Sequence, residues 1–264
     1  MKQAASLYPL WWNPWGDASI VFDQKVSISI DNLSYDKDAD KKILFLAEPL
    51  AILPTVSEGA MRNAYMFDKI YTFCQSILDK YPQAELFEWG STWLDFKDLK
   101  INKSNNVSFV TSNKSQSVGH KLRLEIYDML KTVDVSNGLQ YYSHKSPPFH
   151  ERRNDFFESS KFHICAENSR QKNYFTEKII DCFASKTVPI YYGCPNLSDW
   201  FHMDGVITFT DMDELKLIIR KLDADAYDVR KDAIEKNYEI AKKYHSDNDV
   251  VPRLTRKIIE YVNA

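Results

Sequence analysis

The sequence predicts an α/β protein of two lobes with a helical tail. Short apolar strands recur between polar or helical segments, at Ile43–Ala47, Ile70–Phe73 and Val107–Val110, after an earlier run at Val26–Ile30. A βαβ pattern follows between Lys161 and Trp200, and a last strand is expected at Val206–Phe209. Beyond it the periodicity turns helical, over Ala226–Tyr244 and again over Arg253–Val262, with Pro252 interrupting the two. The polar clusters at 102–106 and 112–117 read as loops. The spacing divides the chain into a small first lobe over residues 1–115 and a second lobe with the tail over 116–264. A helix from Gly119 to Val133 opens the second lobe, and a loop rich in Ser, His and Pro follows it through His150.

Global composition agrees with a soluble globular protein. At 264 residues and 44% apolar, the chain can bury a sizeable core. Its 34 basic residues nearly balance 37 acidic ones, so no strong field marks a nucleic-acid or membrane binder. There is no leader-like start and no apolar stretch near the length of a membrane span, so the expected location is cytoplasmic. Cys74, Cys165, Cys182 and Cys194 share no metal-ligand spacing and read as reduced thiols, three of them in apolar surroundings. Trp11, Trp12 and Trp15 suit sugar stacking, but packing is the better reading of the three.

The segment KFHICAENSRQKNYFTEKIIDCFASKTVPIYYGCPNLSDW, Lys161 to Trp200, carries the most chemistry. The strand around Phe162, Ile164 and Cys165 ends at Glu167-Asn168-Ser169. A polar loop leads to Thr176-Glu177-Lys178, which opens a helix, and Val188–Tyr192 forms the second strand before Gly193. Such a unit puts its loop at the carboxyl edge of a parallel sheet, where open α/β folds bind ligands. Acidic, amide, phenolic and ammonium groups meet there beside a helix N-terminus, whose free N–H groups favour an anion. A nucleoside diphosphate suits that site. Taken singly, Glu177 and Lys178 are ordinary first-turn residues and Thr176 an ordinary cap. The ordered string of ENS, six positions including Tyr174, TEKI and then VPIYYG is what carries information.

That string resembles the donor-binding motif of the α-1,3-fucosyltransferase family, glycosyltransferase family 10, particularly its bacterial and viral-type soluble members. The resemblance is strong over about forty residues, with two partial matches upstream. Arg123 in KLRLEIYDML is similar to the arginine of the family's RN-x-x-YD-x-L helix, which contacts the donor pyrophosphate; Leu124 replaces the usual asparagine. KILFLAEP, ending at Pro49, resembles the strand that carries the family's general base, placing Glu48 in that role. Here Pro49 stands where the family has asparagine.

The resemblance implies a GT-B-like architecture, two Rossmann-like lobes with a cleft between them and a C-terminal helical tail. It implies L-fucose transfer from GDP-fucose to a glycan hydroxyl with inversion, with Glu48 as base. Arg123 and Lys178 would neutralise the leaving diphosphate, and Glu177 would accept from ribose hydroxyls. Asn168 and Tyr174 would shape the nucleotide and sugar pocket, and Glu167 is either a sugar-hydroxyl acceptor or a loop-former. The partners are a nucleotide sugar and a glycan acceptor, with no required cofactor and stimulation by a divalent cation left open. Oligomeric state is not specified. A GT-B enzyme with another nucleotide sugar, or a non-catalytic glycan-binding relative, is the alternative.

Three further patterns have simpler readings. Asp36-Lys37-Asp38 and Asp211-Met212-Asp213 spell the manganese-binding DxD of a different fold, but one lies in a charged loop and the other opens a helix, where capping explains it. His120 is accounted for by a polar helix start. Lys145, Arg152 and Arg153 read as a solvated basic face.

Overall fold

A computed structural model describes residues 2–10, 13–16, 19–132, 139–141, 157–246 and 249–264. Trp11, Trp12, Lys145, Arg152, Arg153 and the loop through His150 lie outside them. The strands are β1 (Gln3–Ala4), β2 (Ser6–Pro9), β3 (Val21–Phe22), β4 (Val26–Ile30), β5 (Lys41–Leu46), β6 (Lys69–Thr72), β7 (Ala84–Leu86), β8 (Asn105–Thr111), β9 (Leu139–Tyr141), β10 (Ser160–Ala166), β11 (Val188–Tyr192) and β12 (Ile207–Thr208). The α-helices are α1 (Pro54–Asn63), α2 (Gln75–Lys80), α3 (Val118–Leu130), α4 (Glu177–Ala184), α5 (Met212–Arg220), α6 (Ala224–Asp228), α7 (Lys231–Ala241) and α8 (Val250–Asn263).

The chain forms two compact units. The first comprises Met1–Trp89, Gln171–Tyr174 and Asp247–Ala264; the second comprises Gly90–Arg170 and Phe175–Ser246. This division departs from the expected break at residue 115 in three places, one of them Gln171–Tyr174, which joins the first unit. The stretch from Gly90 onward joins the second unit, because the buried Asp181 of α4 accepts from Thr92 Oγ1 at 2.6 Å and from the Trp93 N–H at 2.9 Å. The C-terminal helix belongs to the first unit, where its apolar stripe is buried.

The first unit is built on a five-stranded parallel sheet in the order β2-β4-β5-β6-β7. Period-2 alternation sends Ile43 and Phe45 of β5 to one face and Leu44 and Leu46 to the other. Val250, Leu254, Ile258 and Val262 of α8 cover the first face, at the i, i+4 spacing of one helical stripe. Residues Ala60 of α1 and Ile77 of α2, with Phe67, cover the second. With both faces covered, the central strand β5 carries the continuous apolar run of a buried parallel strand, Ile43 to Leu46. Polar contacts seat α8 as well: Lys257 Nζ donates to Glu85 Oε1 at 2.6 Å, and Tyr71 Oη donates to the Lys257 carbonyl at 2.9 Å. Pro252 falls within the first turn of α8 and does not interrupt it; a first-turn N–H has no intrahelical acceptor to lose.

The second unit repeats the plan, with a parallel sheet in the order β12-β11-β10-β8-β9. One face packs against α4 and α7 through Phe175, Ile179, Phe183 and Ala241; the other buries Ile126 and Leu130 of α3 and Leu215 and Ile219 of α5. The helix expected over Ala226–Tyr244 is divided into α6, α7 and a 3-10 turn at Lys242–Tyr244. Among the described residues no helix is long and apolar enough to cross a membrane.

Candidate active site

The carboxyl edge of the second unit's sheet is organised around a buried acid. Glu167 directly follows β10, and its N–H donates to the Tyr192 carbonyl at 2.8 Å, extending the β10–β11 pairing by one step. Its side chain is fully buried and accepts from the Thr176 N–H at 2.9 Å and the Thr176 hydroxyl at 2.8 Å. Thr176 in turn is the N-cap of α4 and accepts from the Lys178 N–H at 3.3 Å. The carboxylate therefore pins the cap that sets where α4 begins.

Lys178 closes the network. Its Nζ donates to Thr176 Oγ1 at 3.1 Å and to Glu177 Oε1 at 2.8 Å, and lies 3.7 Å from Glu167 Oε2. Burial alone would pull its pKa down, but Glu177 and Glu167 hold it above the ordinary lysine range, with Arg123 acting against them. The two acids separate. Burial raises Glu167 despite Lys178, whereas for Glu177 the burial penalty is outweighed by Lys178 and the carboxyl is held low. One acid is the interior anchor of the loop, and the other stays ionised beside the ammonium.

Arg123 reaches the same loop from α3. Its Nη1 donates to the Ala166 carbonyl at 2.6 Å and its Nη2 to Asn168 Oδ1 at 2.9 Å. The planar fork suits such a two-point grip. Ser117 and His120 form a reciprocal capping box at the start of α3, which is what the polar helix start at His120 does. Gly119 lets the first turn of α3 sit on the loop backbone: a Cβ there would stand 1.8 Å from the Glu167 carbonyl oxygen. A Cβ at Gly193 would meet Tyr191 Oη at 2.3 Å and Glu167 Cγ at 2.7 Å.

Arg123, Glu167, Asn168, Glu177 and Lys178 thus come together in the second unit, whereas Glu48 and Tyr174 belong to the first. Tyr174 is 2% exposed, its ring centroid 4.8 Å from that of Phe73. Glu48 is half-buried just beyond β5, and with Pro49, Leu50, Ser57, Thr72, Cys74 and Gln171 it lines a shallow depression. Asp211 caps α5, accepting from the Asp213 and Glu214 N–H groups, and Asp36 accepts from the Asp38 N–H within its loop. Among the described residues no group of three or more His, Cys, Asp or Glu side chains is placed to hold a metal ion. Cys165, Cys182 and Cys194 are buried free thiols and Cys74 is partly exposed.

Residue spacing alone did not single out Gly119, Gly193 or the anchoring role of Thr176. A glycine in the first turn of a helix was the available signal for the first of these, since glycine there needs a reason.

Residues 100–250 match the family described as glycosyltransferase family 10 (fucosyltransferase), C-terminal part. The chain is 31% identical over 109 residues to an α-(1,3)-fucosyltransferase FucT of Helicobacter pylori, a match covering 41% of this chain and 22% of that protein. It is 26% identical over 111 residues to a GDP-fucose protein O-fucosyltransferase 3 of Xenopus laevis, covering 37% of this chain and 24% of the relative. The chain thus spans about a quarter of the length of the curated relatives it matches. Among solved structures, an α1,3-fucosyltransferase with GDP-fucose superposes with a TM-score of 0.55 at 18% identity, over 89% of this chain and 82% of that one. OtsA in its apo form gives 0.59 at 10% identity, over 92% and 74%. The architecture is the α/β fold of GT-B glycosyltransferases, with parallel sheets and a C-terminal helix. The family match extends over more than half of the sequence and includes the loop that holds Arg123, Glu167 and Lys178 together: this chain belongs to glycosyltransferase family 10, the fucosyltransferases.

Proposed function

We propose that this protein is an inverting glycosyltransferase that moves L-fucose from GDP-fucose to a hydroxyl of a glycan acceptor. The observation that carries the reading is that Arg123 from α3 and Lys178 from the first turn of α4 both hold the loop between β10 and α4, through Asn168 and Thr176. Two cations beside the positive end of a helix dipole form a receptor for a diphosphate. Glu177, kept ionised by Lys178, is suited to accept from ribose hydroxyls, and Asn168 to orient the donor beside Arg123. The family resemblance gives Tyr174, packed on Phe73, a part in shaping the nucleotide and sugar pocket. Glu167 is read as the loop-former, since both of its carboxylate oxygens are committed to Thr176.

In this account Glu48 takes the proton of the acceptor hydroxyl as that oxygen bonds to the anomeric carbon. The bond from that carbon to the diphosphate oxygen breaks in the same step, and GDP departs with the electron pair. Attack from the face opposite the leaving group inverts the centre. Arg123 and Lys178 stabilise the charge developing on the diphosphate, with no resident metal assigned to the step. The donor-binding role falls to the second unit and the base to the first. A cytoplasmic setting belongs to the same proposal and is supported by the free thiols.

Variants at Glu48 and Lys178 test the reading. Glu48→Gln should lower kcat by about 100-fold or more, the scale of a lost general base, while GDP affinity stays near that of the parent. Lys178→Ala should weaken GDP binding itself. A Glu48→Gln protein with full activity removes the base assignment, and a preference for UDP-sugars would move the donor to another nucleotide.

A further inference from the structure

At the end of β4 the chain places a buried acid under the backbone of Glu48. Asp31 follows Ile30, and its N–H donates to the Phe45 carbonyl at 2.9 Å, so it is still paired with β5. Its φ is +48°, in the left-handed region that Asp and Asn tolerate better than most residues. That turn carries the side chain to the end of β5, where a single oxygen, Oδ1, accepts from the N–H groups of Ala47 at 2.8 Å and Glu48 at 3.1 Å. Asp31 is 4% exposed. Burial pushes its carboxyl up to about 6 even though both N–H bonds favour the ionised form.

Nothing in the sheet requires this arrangement. The two N–H groups lie one and two residues beyond the last residue of β5, where a chain ordinarily turns its N–H groups to water. Here they are fixed by an acid that is itself buried and holds an uncommon backbone conformation. Both features cost free energy, and strained, buried polar residues of this kind collect where geometry matters. What this one fixes is the main chain of Glu48, which lines the same depression as Ser57, Thr72 and Gln171.

We infer that Asp31 is a positioning residue: by clamping the Ala47 and Glu48 N–H groups it holds the Glu48 carboxylate where an acceptor hydroxyl must present its proton. The inference rests on the assignment of Glu48 as base. Asp31 touches no substrate and acts only through Glu48.

A mutant cycle tests it. Asp31→Gly removes the carboxylate and suits the positive φ; Asp31→Asn keeps an oxygen that can accept both N–H bonds. GDP release from GDP-fucose is followed in the full chain with N-acetyllactosamine as acceptor and, in parallel, with water alone. Asp31→Gly should lower kcat by about tenfold or more with KM for GDP-fucose unchanged, and Asp31→Asn should restore it to within about threefold. In a Glu48→Gln background Asp31→Gly should cost less than about twofold, because the group it serves is gone. The inference is overturned if Asp31→Gly keeps the parent kcat, or if its cost is undiminished in the Glu48→Gln background. Should the glycine variant fail to fold, Asp31→Ser, whose short hydroxyl cannot span both N–H groups, takes its place under the same criteria. A fully active Glu48→Gln removes the base assignment and this inference with it. An inactive Glu48→Gln beside an unaffected Asp31→Gly removes only the inference.

Discussion

Lys178 Nζ and Glu167 Oε2 lie 3.7 Å apart with the Thr176 hydroxyl bonded to both, so one threonine joins the buried anchor of the loop after β10 to its cation. The hydroxyl donates to the acid and accepts from the ammonium, and the same residue caps α4. Loop position, helix start and cation position are thereby one structural unit. In the proposed reaction a diphosphate would compete with Glu177 and Glu167 for this ammonium, and the Arg123 fork would share its charge.

Arg123→Lys should therefore be a damaging change. A lysine offers a point charge with no fixed fork, so the pair of bonds to the Ala166 carbonyl and Asn168 Oδ1 cannot both be kept in the same plane. GDP affinity measured by calorimetry should fall by about tenfold, the equivalent of about 1.4 kcal/mol. Unchanged affinity would mean that Arg123 only braces the loop.

Gly119→Ala should destabilise the protein and loosen the proposed donor site together. With the new Cβ 1.8 Å from a backbone oxygen, helix α3 or the Glu167–Asn168 loop must move, since no flexible side chain is there to yield. Overpacking against backbone costs about 1–3 kcal/mol, and the melting temperature should drop accordingly.

Lys103 sets a pH dependence in the second unit. Its Nζ donates to the Phe157 carbonyl at 2.6 Å and to Thr187 Oγ1 at 2.7 Å, and burial pulls its pKa from 10.5 down to about 7, against Cys182 and Glu158. Between those two values the folded protein has released a proton that the unfolded chain still holds, so stability rises with pH across that window. The contribution is full above about 10.5 and is lost as pH falls through about 7. Melting curves of the parent and Lys103→Met should therefore diverge in the parent's favour from pH 7 to pH 10. Parallel curves would contradict the shift.

Much of the second unit was legible in the sequence because its strands are buried on both faces and bounded by turn residues. The strand Val188–Tyr192 and the cap at Thr176 lie where the pattern put them. Val26–Ile30 was equally plain in the first unit. Strands Ser6–Pro9 and Ala84–Leu86 were missed: both are short, and neither is fully buried, so neither carries a continuous apolar run. Helix α1 was hidden by its proline and low apolar content, although Pro54 sits in the first turn where it is tolerated. Lobe membership could not be read from order along the chain. It depends on Asp181 holding Thr92 and on α8 presenting Leu254 and Ile258 to the first sheet, contacts far apart in sequence. In the candidate site, Glu167, Glu177 and Lys178 were visible as residues, but the division of the two acids into anchor and ionised partner depends on burial.

The most direct test of the central claim is a thermal-shift comparison of GDP, GDP-fucose, UDP and a panel of UDP-sugars with the intact chain. A ligand that binds only the folded state raises the melting temperature, by about 2.7 kcal/mol of added stability at 100 times its Kd. The account predicts stabilisation by GDP and GDP-fucose and none by UDP. Stabilisation by UDP or a UDP-sugar without a response to GDP would contradict it.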